Sequence, residues 1–334
     1  MKAAVTHAPG EAPRFGDFAE PVVAAGREPA ELVAAGIHPV TRSLAEGRHY
    51  GSTGSYPLIP GLDAVARTAD GALLYTGYIE APYGTLAERM AIPGGMPLPA
   101  GADPVAVAGG LNPGLASWMP LLAHRDQAGA AGEQAGRADP PAGGLGTVVI
   151  LGVTGMAGLL AVQNARILGA ARVVGAGRSR AGLDRAVRAG ATAVPLGGDQ
   201  QADAAALAAA LDGDVPGLVL DFVWGPVAEA MFAALGRRGL DEERADISYV
   251  EIGALAGPGA SVPAALLRSR RLRISGSGAG SGSVSAIMAE VPVYMQMIAD
   301  GRVTVPTQTF PLAQVTAGWA AARDGGPRVV IVPG

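Results

Sequence analysis

The chain has 334 residues, of which 49% are hydrophobic and 16% are charged, and its formal net charge is −4. This length suffices for roughly two domains with buried cores, and a mildly acidic chain without a basic patch is not expected to bind nucleic acid. Cysteine is absent, which excludes disulfides, thiolate metal ligands and thiol nucleophiles. Neither an apolar leader nor an apolar run of the roughly 20 residues that span a membrane is evident, so we expect a cytoplasmic protein without a membrane partner.

Residues 1–118 are expected to form a β-rich domain with many turns. Their short apolar segments are interrupted by Gly and Pro, as in 57–61, 73–77 and 91–95. Such punctuation is typical of short strands joined by tight turns rather than of long helices.

A regular alternation of strand and helix patterns follows from about residue 147 to residue 277. The predicted strands are 147–152, 172–176, 192–196, 217–222, 247–252 and 271–275. The predicted helices are 155–168, 180–189, 201–211, 226–236 and 262–268. Units of this length predict an α/β fold with a doubly wound parallel sheet.

Three further segments complete the prediction along the chain. Residues 123–146 are rich in Ala, Gly and Pro without apolar periodicity, which predicts a flexible surface loop or, alternatively, a functional lid. Apolar residues at helical spacing predict an amphipathic helix over 283–300, which Pro292 should disturb. Residues 328–332 predict a final strand.

A glycine-rich turn follows the first strand of the alternating region. Gly152 allows a sharp turn, Gly155 lets backbone amides approach a pyrophosphate, and Gly158 lets the next helix pack closely on the strand. The N-terminus of that helix presents unpaired amide donors and a partial positive charge. Together with its flanking strand and helix, the turn predicts a dinucleotide-binding βαβ unit, although it could also be a packing turn alone.

The cofactor contacts are predicted from the same unit. Thr154, Met156 and Ala157 complete the turn and the start of the helix. Arg178 and Ser179 follow the second strand, at the place where NAD-binding chains usually carry an acidic residue for the ribose 2′-hydroxyl. A basic residue there suits a 2′-phosphate and so favours NADPH, whereas the alternative is an ordinary surface arginine.

Several short motifs resemble those of one known superfamily and occur in the same order: Ala34–Pro39, Pro60–Asp63, Tyr83–Glu88, Asn112–Trp118, Leu220–Phe222, Val250–Gly253 and Ile274–Ser277. With the glycine turn and the closing strand, the chain resembles the zinc-free quinone oxidoreductase branch of the medium-chain dehydrogenase/reductase superfamily over nearly its whole length.

The resemblance implies a doubly wound parallel Rossmann domain inserted into a GroES-like β-rich domain. The GroES-like substrate domain would comprise 1–118 and 278–334, and the Rossmann domain would comprise 119–277. The resemblance further implies NADPH-dependent reduction of a small-molecule quinone or α,β-unsaturated carbonyl, and a homodimer formed through the edge strand 271–275.

Two departures from the superfamily pattern bear on the chemistry. Zinc-dependent relatives use Cys and a Gly-His-Glu triplet, whereas Leu62 stands at the histidine position here, so no metal site is expected. Many quinone reductases carry Asn and Asp after the first Gly-Ile, where this chain has His38 and either Thr41 or Arg42. The substrate class therefore stays open.

Candidate catalytic residues lie in the β-rich domain. Tyr50 could donate a hydrogen bond to the substrate carbonyl, since the superfamily places a tyrosine in this loop, or it could be an ordinary aromatic residue of a surface loop. The neighbouring His49 could also be a donor. Asn112 could bind cofactor or substrate, or could simply cap a helix that begins at Pro113. His38 could line the substrate pocket, or pack in a turn before Pro39.

Further candidates lie at the ends of late strands in the Rossmann region. Ligands of open α/β sheets bind beyond the carboxyl ends of the strands. Gly253, Ser275, Gly276 and Ser277 are therefore expected to contact the nicotinamide, and Trp224 is expected to line the substrate pocket rather than only to fill the core. The nearby Asp221 reads as a structural hydrogen-bond acceptor.

Two other functions are compatible with the same residues. One is an enoyl-thioester reductase of the same superfamily. The other is a non-catalytic sensor or structural protein that binds NADP(H) without turnover, and NADPH binding without oxidation by any quinone or enone would distinguish it.

Overall fold

The computed structural model describes residues 1–134, 144–241, 245–278, 280–323 and 325–334. The chain divides into two compact units. Unit 1 comprises Met1–Pro113 with Met288–Gly334, and unit 2 comprises Gly114–Ile287. The sequence-based boundaries at 118/119 and 277/278, and the roles assigned to the two domains, stay predictions.

The strands in the described residues are β1 (Lys2–Val5), β2 (Arg14–Asp17), β3 (Glu28–Gly36), β4 (Asp63–Thr68), β5 (Leu73–Gly77), β6 (Arg89–Ile92), β7 (Met96–Pro97), β8 (Thr147–Leu151), β9 (Arg172–Gly177), β10 (Thr192–Pro195), β11 (Leu218–Asp221), β12 (Asp246–Glu251), β13 (Arg271–Gly276), β14 (Thr307–Pro311) and β15 (Arg328–Val332). The helices are α1 (Pro39–Ala45), α2 (Pro104–Gln134), α3 (Met156–Ile167), α4 (Arg180–Arg188), α5 (Gln200–Leu211), α6 (Gly225–Ala234), α7 (Ala264–Ser269), α8 (Val284–Ala299) and α9 (Val315–Ala321).

Unit 1 is the β-rich part that the Gly and Pro punctuation predicts. Its larger sheet has the order β14-β15-β3-β4-β5-β7, with β6 paired to β3, and β1 and β2 form a separate antiparallel pair. The late strand β15 runs antiparallel to β3, so the two ends of the chain share one sheet. Small and branched apolar side chains fill its core around Trp319, which is 1% exposed.

Unit 2 is a doubly wound α/β domain. Its parallel sheet has the order β10-β9-β8-β11-β12-β13, which reverses between β8 and β11. One face of the sheet packs with α3 and α4, and the other packs with α5, α6 and α7. Strand β8 is completely buried, as its unbroken apolar sequence requires in the middle of such a sheet. The predicted fold class is confirmed.

Helix α2 corrects two predictions. It begins at Pro104 after Asp103, whose side chain accepts a hydrogen bond of 2.9 Å from the Val105 amide. Asp103 and Pro104 are thus the cap and first helical residue that the sequence analysis assigned to Asn112 and Pro113. Asn112 instead lies within the helix and is half-buried, so the proposed capping role is wrong.

The predicted loop at 123–146 is also partly wrong. Residues 123–134 continue α2, since alanines favour helix even without apolar periodicity. Residues 135–143 lie outside the described residues. Helix α8 continues through Pro292, so the expected disturbance did not follow. Proline removes only one hydrogen bond there, and the buried side chains of Val291, Tyr294 and Met295 hold the helix in place.

In the part of the chain that the structure describes, none of the helices combines the length and apolarity needed to cross a membrane.

Candidate active site

The three motif glycines have three different environments in unit 2. Gly152 has φ +85°, and a Cβ there would lie 2.8 Å from Val223 Cγ1. A Cβ on Gly158 would lie 2.4 Å from the Gly152 oxygen and 2.6 Å from Val153 Cα, so α3 packs directly on the turn. A Cβ on Gly155 would meet only one atom, 3.6 Å away. The first two glycines are required by the fold, whereas Gly155 leaves open space at the start of a helix.

This open space adjoins the first amides of α3. Helix α3 starts after Gly155 without a side-chain cap, so its first amides have no partner from a capping side chain. Their donors and the helix dipole suit an anion. Ala157 is half-buried at this end, whereas Met156 is buried at 8% exposure and contributes to packing.

The end of β9 carries the residues predicted for the 2′-phosphate. Arg178 and Ser179 are both exposed. The Ser179 hydroxyl accepts a hydrogen bond of 3.3 Å from the Gly182 amide, so this residue caps α4. Arg180 begins the same helix and is also exposed, which places two guanidinium groups at this strand end and no acid between them. The sequence analysis did not single out Arg180.

Thr154 connects the glycine turn to this strand end. Its side chain lies against two further glycines, since a Cβ on Gly177 would be 2.5 Å from Thr154 Cγ2 and a Cβ on Gly182 would be 2.4 Å from Thr154 Cβ. Arg185 donates to the Thr154 carbonyl at 3.4 Å. The structure therefore brings Thr154 and Ser179 into one surface region. Gly177 of β9 and Gly182 of α4 were visible in the sequence, but only the packing shows that they accommodate Thr154.

A strained turn follows β11. Trp224 has φ +54° and ψ −157°, a backbone conformation that glycine adopts far more readily than other residues. Asp221 holds this turn, because its Oδ1 accepts hydrogen bonds of 2.8 Å from the amides of both Val223 and Trp224. The hydroxyl of Tyr249 donates to Oδ2 of the same carboxylate at 2.6 Å. Asp221 is the structural acceptor that the sequence predicted.

Burial shifts the titration of this group. Asp221 is fully buried, and this raises its pKa despite the hydrogen bonds that favour the carboxylate. Burial and the charge of Asp221 also raise the pKa of Tyr249 far above its usual value, so the phenol stays a donor.

Trp224 also lines an open cavity of about 450 Å³ at the carboxyl edge of the unit 2 sheet, together with Glu251, Ala254, Pro258 and Ile274–Gly276. The indole packs edge-on against Phe232 and Tyr249 at ring distances of 6.0 Å. Ser275 and Gly276 are exposed in this cavity. Burial, with the charge of Asp221, raises the pKa of the Glu251 carboxyl on the same wall.

Gly253 and Ser277 lie next to this wall. The Gly253 amide donates to the Asp221 carbonyl at 3.2 Å, and a Cβ on Gly253 would lie 3.0 Å from the Phe222 oxygen. The Ser277 amide donates to the Glu251 carbonyl at 2.8 Å. The four residues predicted for the nicotinamide and Trp224 thus surround one edge of the sheet.

The candidate catalytic loop lies in unit 1. Tyr50 is 79% exposed, and its ring lies 4.1 Å from the ring of His49. His49 Nδ1 accepts a hydrogen bond of 3.0 Å from the Gly51 amide, and burial lowers the pKa of His49. Each side chain therefore keeps a polar group for a ligand: the Tyr50 hydroxyl and His49 Nε2.

Tyr78 is a residue that sequence reasoning missed. It has φ +55°, which is unusual for a residue with a bulky side chain, and its ring is largely exposed. Loss of hydration at the hydroxyl raises the pKa of Tyr78, and the acidic groups of Asp63 and Tyr50 raise it further. A second phenol therefore lies within electrostatic reach of Tyr50, and no sequence pattern indicated it.

His38 is an interior residue. It is 2% exposed, and its Nε2 lies 3.1 Å from Oδ1 of the buried Asp63. The hydroxyl of Tyr75 donates to the other oxygen of Asp63 at 2.6 Å. Because its imidazole is enclosed, His38 is a packed residue of the interior. The prediction that it lines a substrate pocket is not supported.

In the described ranges, no group of three or more His, Cys, Asp and Glu side chains could hold a metal ion.

Comparisons with known proteins bear on the fold and on the function of this chain. No protein-family model matches the sequence. A curated protein of Emericella nidulans, named probable NADPH-dependent quinone reductase tdiC, is 33% identical over 242 residues. The match covers 69% of this chain and 62% of that protein, so it spans less than two thirds of the relative's length.

Two solved structures illustrate the fold. The quinone oxidoreductase of Thermus thermophilus, also solved with NADPH, gives a TM-score of 0.75 at 24% identity, covering 99% of this chain and 100% of that one. An alcohol dehydrogenase superfamily protein of Novosphingobium aromaticivorans gives 0.74 at 21% identity, and both chains are covered completely. These likenesses show that the chain shares the fold of quinone oxidoreductases and of an alcohol dehydrogenase superfamily protein.

Proposed function

We propose that this chain is an NADPH-dependent oxidoreductase that reduces a quinone or an α,β-unsaturated carbonyl compound. The glycine turn at the start of α3 carries the proposal. It combines an uncapped helix N-terminus with open space at Gly155, and two arginines lie at the end of the adjacent strand. The curated relative is named for NADPH-dependent quinone reduction, which supports this activity over the two alternatives.

The residues of unit 2 would hold the cofactor in three places. The amides of Met156 and Ala157, beside the open space at Gly155, would receive the pyrophosphate, and Arg178 with Ser179 would receive the 2′-phosphate. Gly253 and Ser275–Ser277 would position the nicotinamide, because a glycine permits close approach and the serines offer hydroxyl partners. When bound, NADPH supplies the hydride for the reduction.

Residues of unit 1 would stabilise the product of hydride addition. Negative charge develops on the substrate oxygen as hydride arrives, and a positioned donor lowers the energy of that charge. The exposed hydroxyl of Tyr50 is the proposed donor, and His49 Nε2 is the second choice.

We propose that zinc takes no part. The sequence contains no cysteine, and Leu62 stands where zinc-dependent relatives have histidine. The remaining polar candidates, His38 and Asp63, are enclosed in the interior, where His38 Nε2 lies 3.1 Å from Asp63 Oδ1. The donor set therefore does not suit a catalytic zinc ion.

A homodimer through β13 is also part of the proposal. Among the described residues, this strand lies at the edge of the unit 2 sheet with β12 as its one neighbour, and most of its side chains are exposed. An exposed edge strand can extend a sheet across two copies of a chain. Sedimentation of the wild type and of Ile274→Lys would test it, since a charge in the pairing strand should produce monomers. A cytoplasmic location stays a prediction from the sequence.

Nucleotide binding is the first test of this function. NADPH and NADH are titrated by fluorescence against the wild type and Arg178→Ala. We expect NADPH to bind about tenfold more tightly, which corresponds to about 1.4 kcal/mol, and we expect the arginine variant to lose this advantage. A screen of quinones and enones with NADPH then tests turnover.

Arg188→Ala is a suitable control, because Arg188 is an exposed residue in the last turn of α4, the helix that follows Arg178. It should keep the preference for NADPH. If neither nucleotide binds the wild type, the glycine turn is a packing device and the oxidoreductase proposal fails. Binding without any turnover would instead favour a non-catalytic NADP(H)-binding protein.

A further inference from the structure

Three arginine side chains in unit 1 converge on one carboxylate. Glu46 Oε1 lies 3.5 Å from Arg42 Nη2 and 3.8 Å from Arg323 Nη2, and Arg48 pairs with the other oxygen. The Glu46 side chain is only 8% exposed, so it is enclosed by these partners. Three guanidinium groups against one carboxylate leave two positive charges uncompensated among the described residues of this arginine cluster.

The arginine cluster borders a cavity. Together with Gly10, the four charged residues line an open space of about 470 Å³. Gly10 has φ +81°, and no atom lies within 4 Å of the position that its Cβ would occupy, so this wall is unobstructed. The cavity is larger than a single inorganic anion and leaves room for an organic group.

The arginines differ in how firmly they are held. The Arg42 side chain is 13% exposed and lies over the ring of Trp319 at 5.6 Å. Arg48 and Arg323 are 72% and 61% exposed. One arginine is therefore fixed by stacking, and two can turn their remaining donors toward a ligand. Each guanidinium carries five N–H donors, more than one carboxylate can use.

The electrostatics of Arg42 favour a further anion beside it. Burial lowers the pKa of Arg42, and the positive charges of Arg323 and Arg48 lower it further, against the opposing effect of Glu46. A second anion in the cavity would stabilise all three cations at once.

We propose that the arginine cluster binds the phosphate of a phosphorylated small molecule. The two uncompensated charges match a phosphate dianion, whereas a monocarboxylate would neutralise only half of them. Forked guanidinium donors also suit the several oxygens of a phosphate. Arg48 precedes the candidate catalytic residue Tyr50 by two positions, so the phosphate could belong to the tail of the reduced substrate or to a separate metabolite. Only the first of these sources rests on the proposed function.

Inorganic pyrophosphate serves as the probe for the site itself. Its binding to the full chain is measured by calorimetry at constant ionic strength, with the wild type and the double variant Arg48→Gln/Arg323→Gln. These two residues are exposed, so the variant should fold. We expect the double variant to bind pyrophosphate at least tenfold more weakly.

Two controls separate this site from general charge and from the nucleotide site. Arg14→Gln/Arg67→Gln removes the same charge from exposed positions in β2 and β4 of unit 1. Gly155→Ala obstructs the open space proposed for the cofactor pyrophosphate in unit 2. Neither should change the affinity of this site. The proposal is overturned if the wild type does not bind pyrophosphate, or if the controls weaken binding as much as the double variant does.

A kinetic comparison identifies the source of the phosphate. An enoyl thioester of coenzyme A is compared with the same acyl group on N-acetylcysteamine, which lacks phosphates. If the substrate tail occupies the site, the KM of the coenzyme A thioester should rise in the double variant, whereas that of the N-acetylcysteamine thioester should not. The ratio of the first KM to the second should then rise about tenfold. An unchanged ratio together with lost pyrophosphate binding assigns the site to a separate phosphorylated molecule. If neither thioester, quinone nor enone is reduced, the proposed function fails while the pyrophosphate titration still decides the site.

Discussion

Each unit of the molecule contains a buried aspartate that accepts a tyrosine hydroxyl at 2.6 Å. In unit 2, Asp221 accepts from Tyr249 and from two backbone amides at 2.8 Å. In unit 1, Asp63 accepts from Tyr75, and its other oxygen lies 3.1 Å from His38 Nε2. Both carboxylates accept a hydrogen bond from a tyrosine hydroxyl, but the other groups around them differ.

The difference separates two uses of a buried charge. Asp221 is surrounded by neutral donors and fixes a strained backbone turn at Trp224. Asp63 faces ionisable groups, because it attracts the buried Arg328 as well as His38. Burial lowers the pKa of Arg328 to about 10, and the attraction of Asp63 opposes that shift. Unit 2 therefore uses a carboxylate to shape its backbone, whereas unit 1 uses one to balance a buried cation.

The largest expected effect comes from removing the charge in unit 1. Asp63→Asn should lower the free energy of unfolding by about 3–5 kcal/mol, because the buried Arg328 would lose the carboxylate that attracts it and remain uncompensated. Chemical denaturation followed by tryptophan fluorescence measures it. Adding Arg328→Met to the variant should recover part of the loss. A loss below about 1 kcal/mol would show that Asp63 and Arg328 are not effectively paired.

Removing the carboxylate of unit 2 should have a smaller effect. Asp221→Ala leaves three donors without their acceptor, and we expect a loss of about 2–3 kcal/mol. Asp221→Asn keeps one oxygen for the two amides, so it should lose less than the alanine variant. The same denaturation experiment compares them. Equal losses in both variants would contradict the backbone-fixing role.

Adding a methyl group tests the importance of close backbone approach in unit 2. Gly158→Ala should cost about 1–3 kcal/mol, since the new Cβ would overlap the Gly152 carbonyl. Gly155→Ala should change stability by less than about 0.5 kcal/mol but should weaken NADPH binding. Thermal unfolding and nucleotide titration are measured on both variants. If Gly155→Ala binds NADPH normally, the open space at this residue is not the pyrophosphate site.

The smallest effect is a dependence of stability on pH. The pKa of Asp221 is raised in the folded state above the usual value of 3.8. The folded state therefore holds this proton more tightly, and the resulting stabilisation, present below the unfolded-state pKa, is lost as pH rises through the folded-state pKa. The stability of the wild type relative to Asp221→Asn should therefore fall as pH rises from 3.8 through the raised folded-state pKa. A constant difference would show that Asp221 does not titrate in this range.

The sequence predicted the parallel sheet well because its signals are local. Apolar runs, helical spacing and glycine turns each act over a few residues, and the predicted strands of unit 2 agree with β8–β13 to within one residue at nearly every end. The start of α2 was missed for the same reason, since two Asx-Pro pairs compete locally and only packing selects Asp103. Two glycines in α2 illustrate this packing: a Cβ on Gly110 would lie 2.4 Å from Val305 Cγ2, and a Cβ on Gly109 would lie 3.1 Å from Thr307 Cγ2.

The residues of the candidate site could be predicted from sequence only where a local backbone conformation requires particular residue types. The glycine turn requires particular residues at particular spacings, so Gly152 and Gly158 could be identified from sequence. The burial of His38, the strain at Tyr78 and the arginine cluster arise from residues distant along the chain. Arg323 and Arg42, for example, are brought together by the pairing of β15 with β3. No single-sequence pattern reports such contacts.

The pairing of β15 with β3 also has a consequence for how the protein is made. Arg328 donates to the Ile37 carbonyl across a separation of 291 residues. At ribosomal rates of about 5–20 residues per second, this contact becomes possible about 15–60 s after Ile37 is polymerised. The whole of unit 2 is synthesised in that interval, so it can fold while the Ala35–Gly36 end of β3 still lacks its neighbour β15. This short stretch of strand edge thus stays unpaired for much of the synthesis of the chain, and an unpaired edge is a place where other chains, chaperones included, can bind.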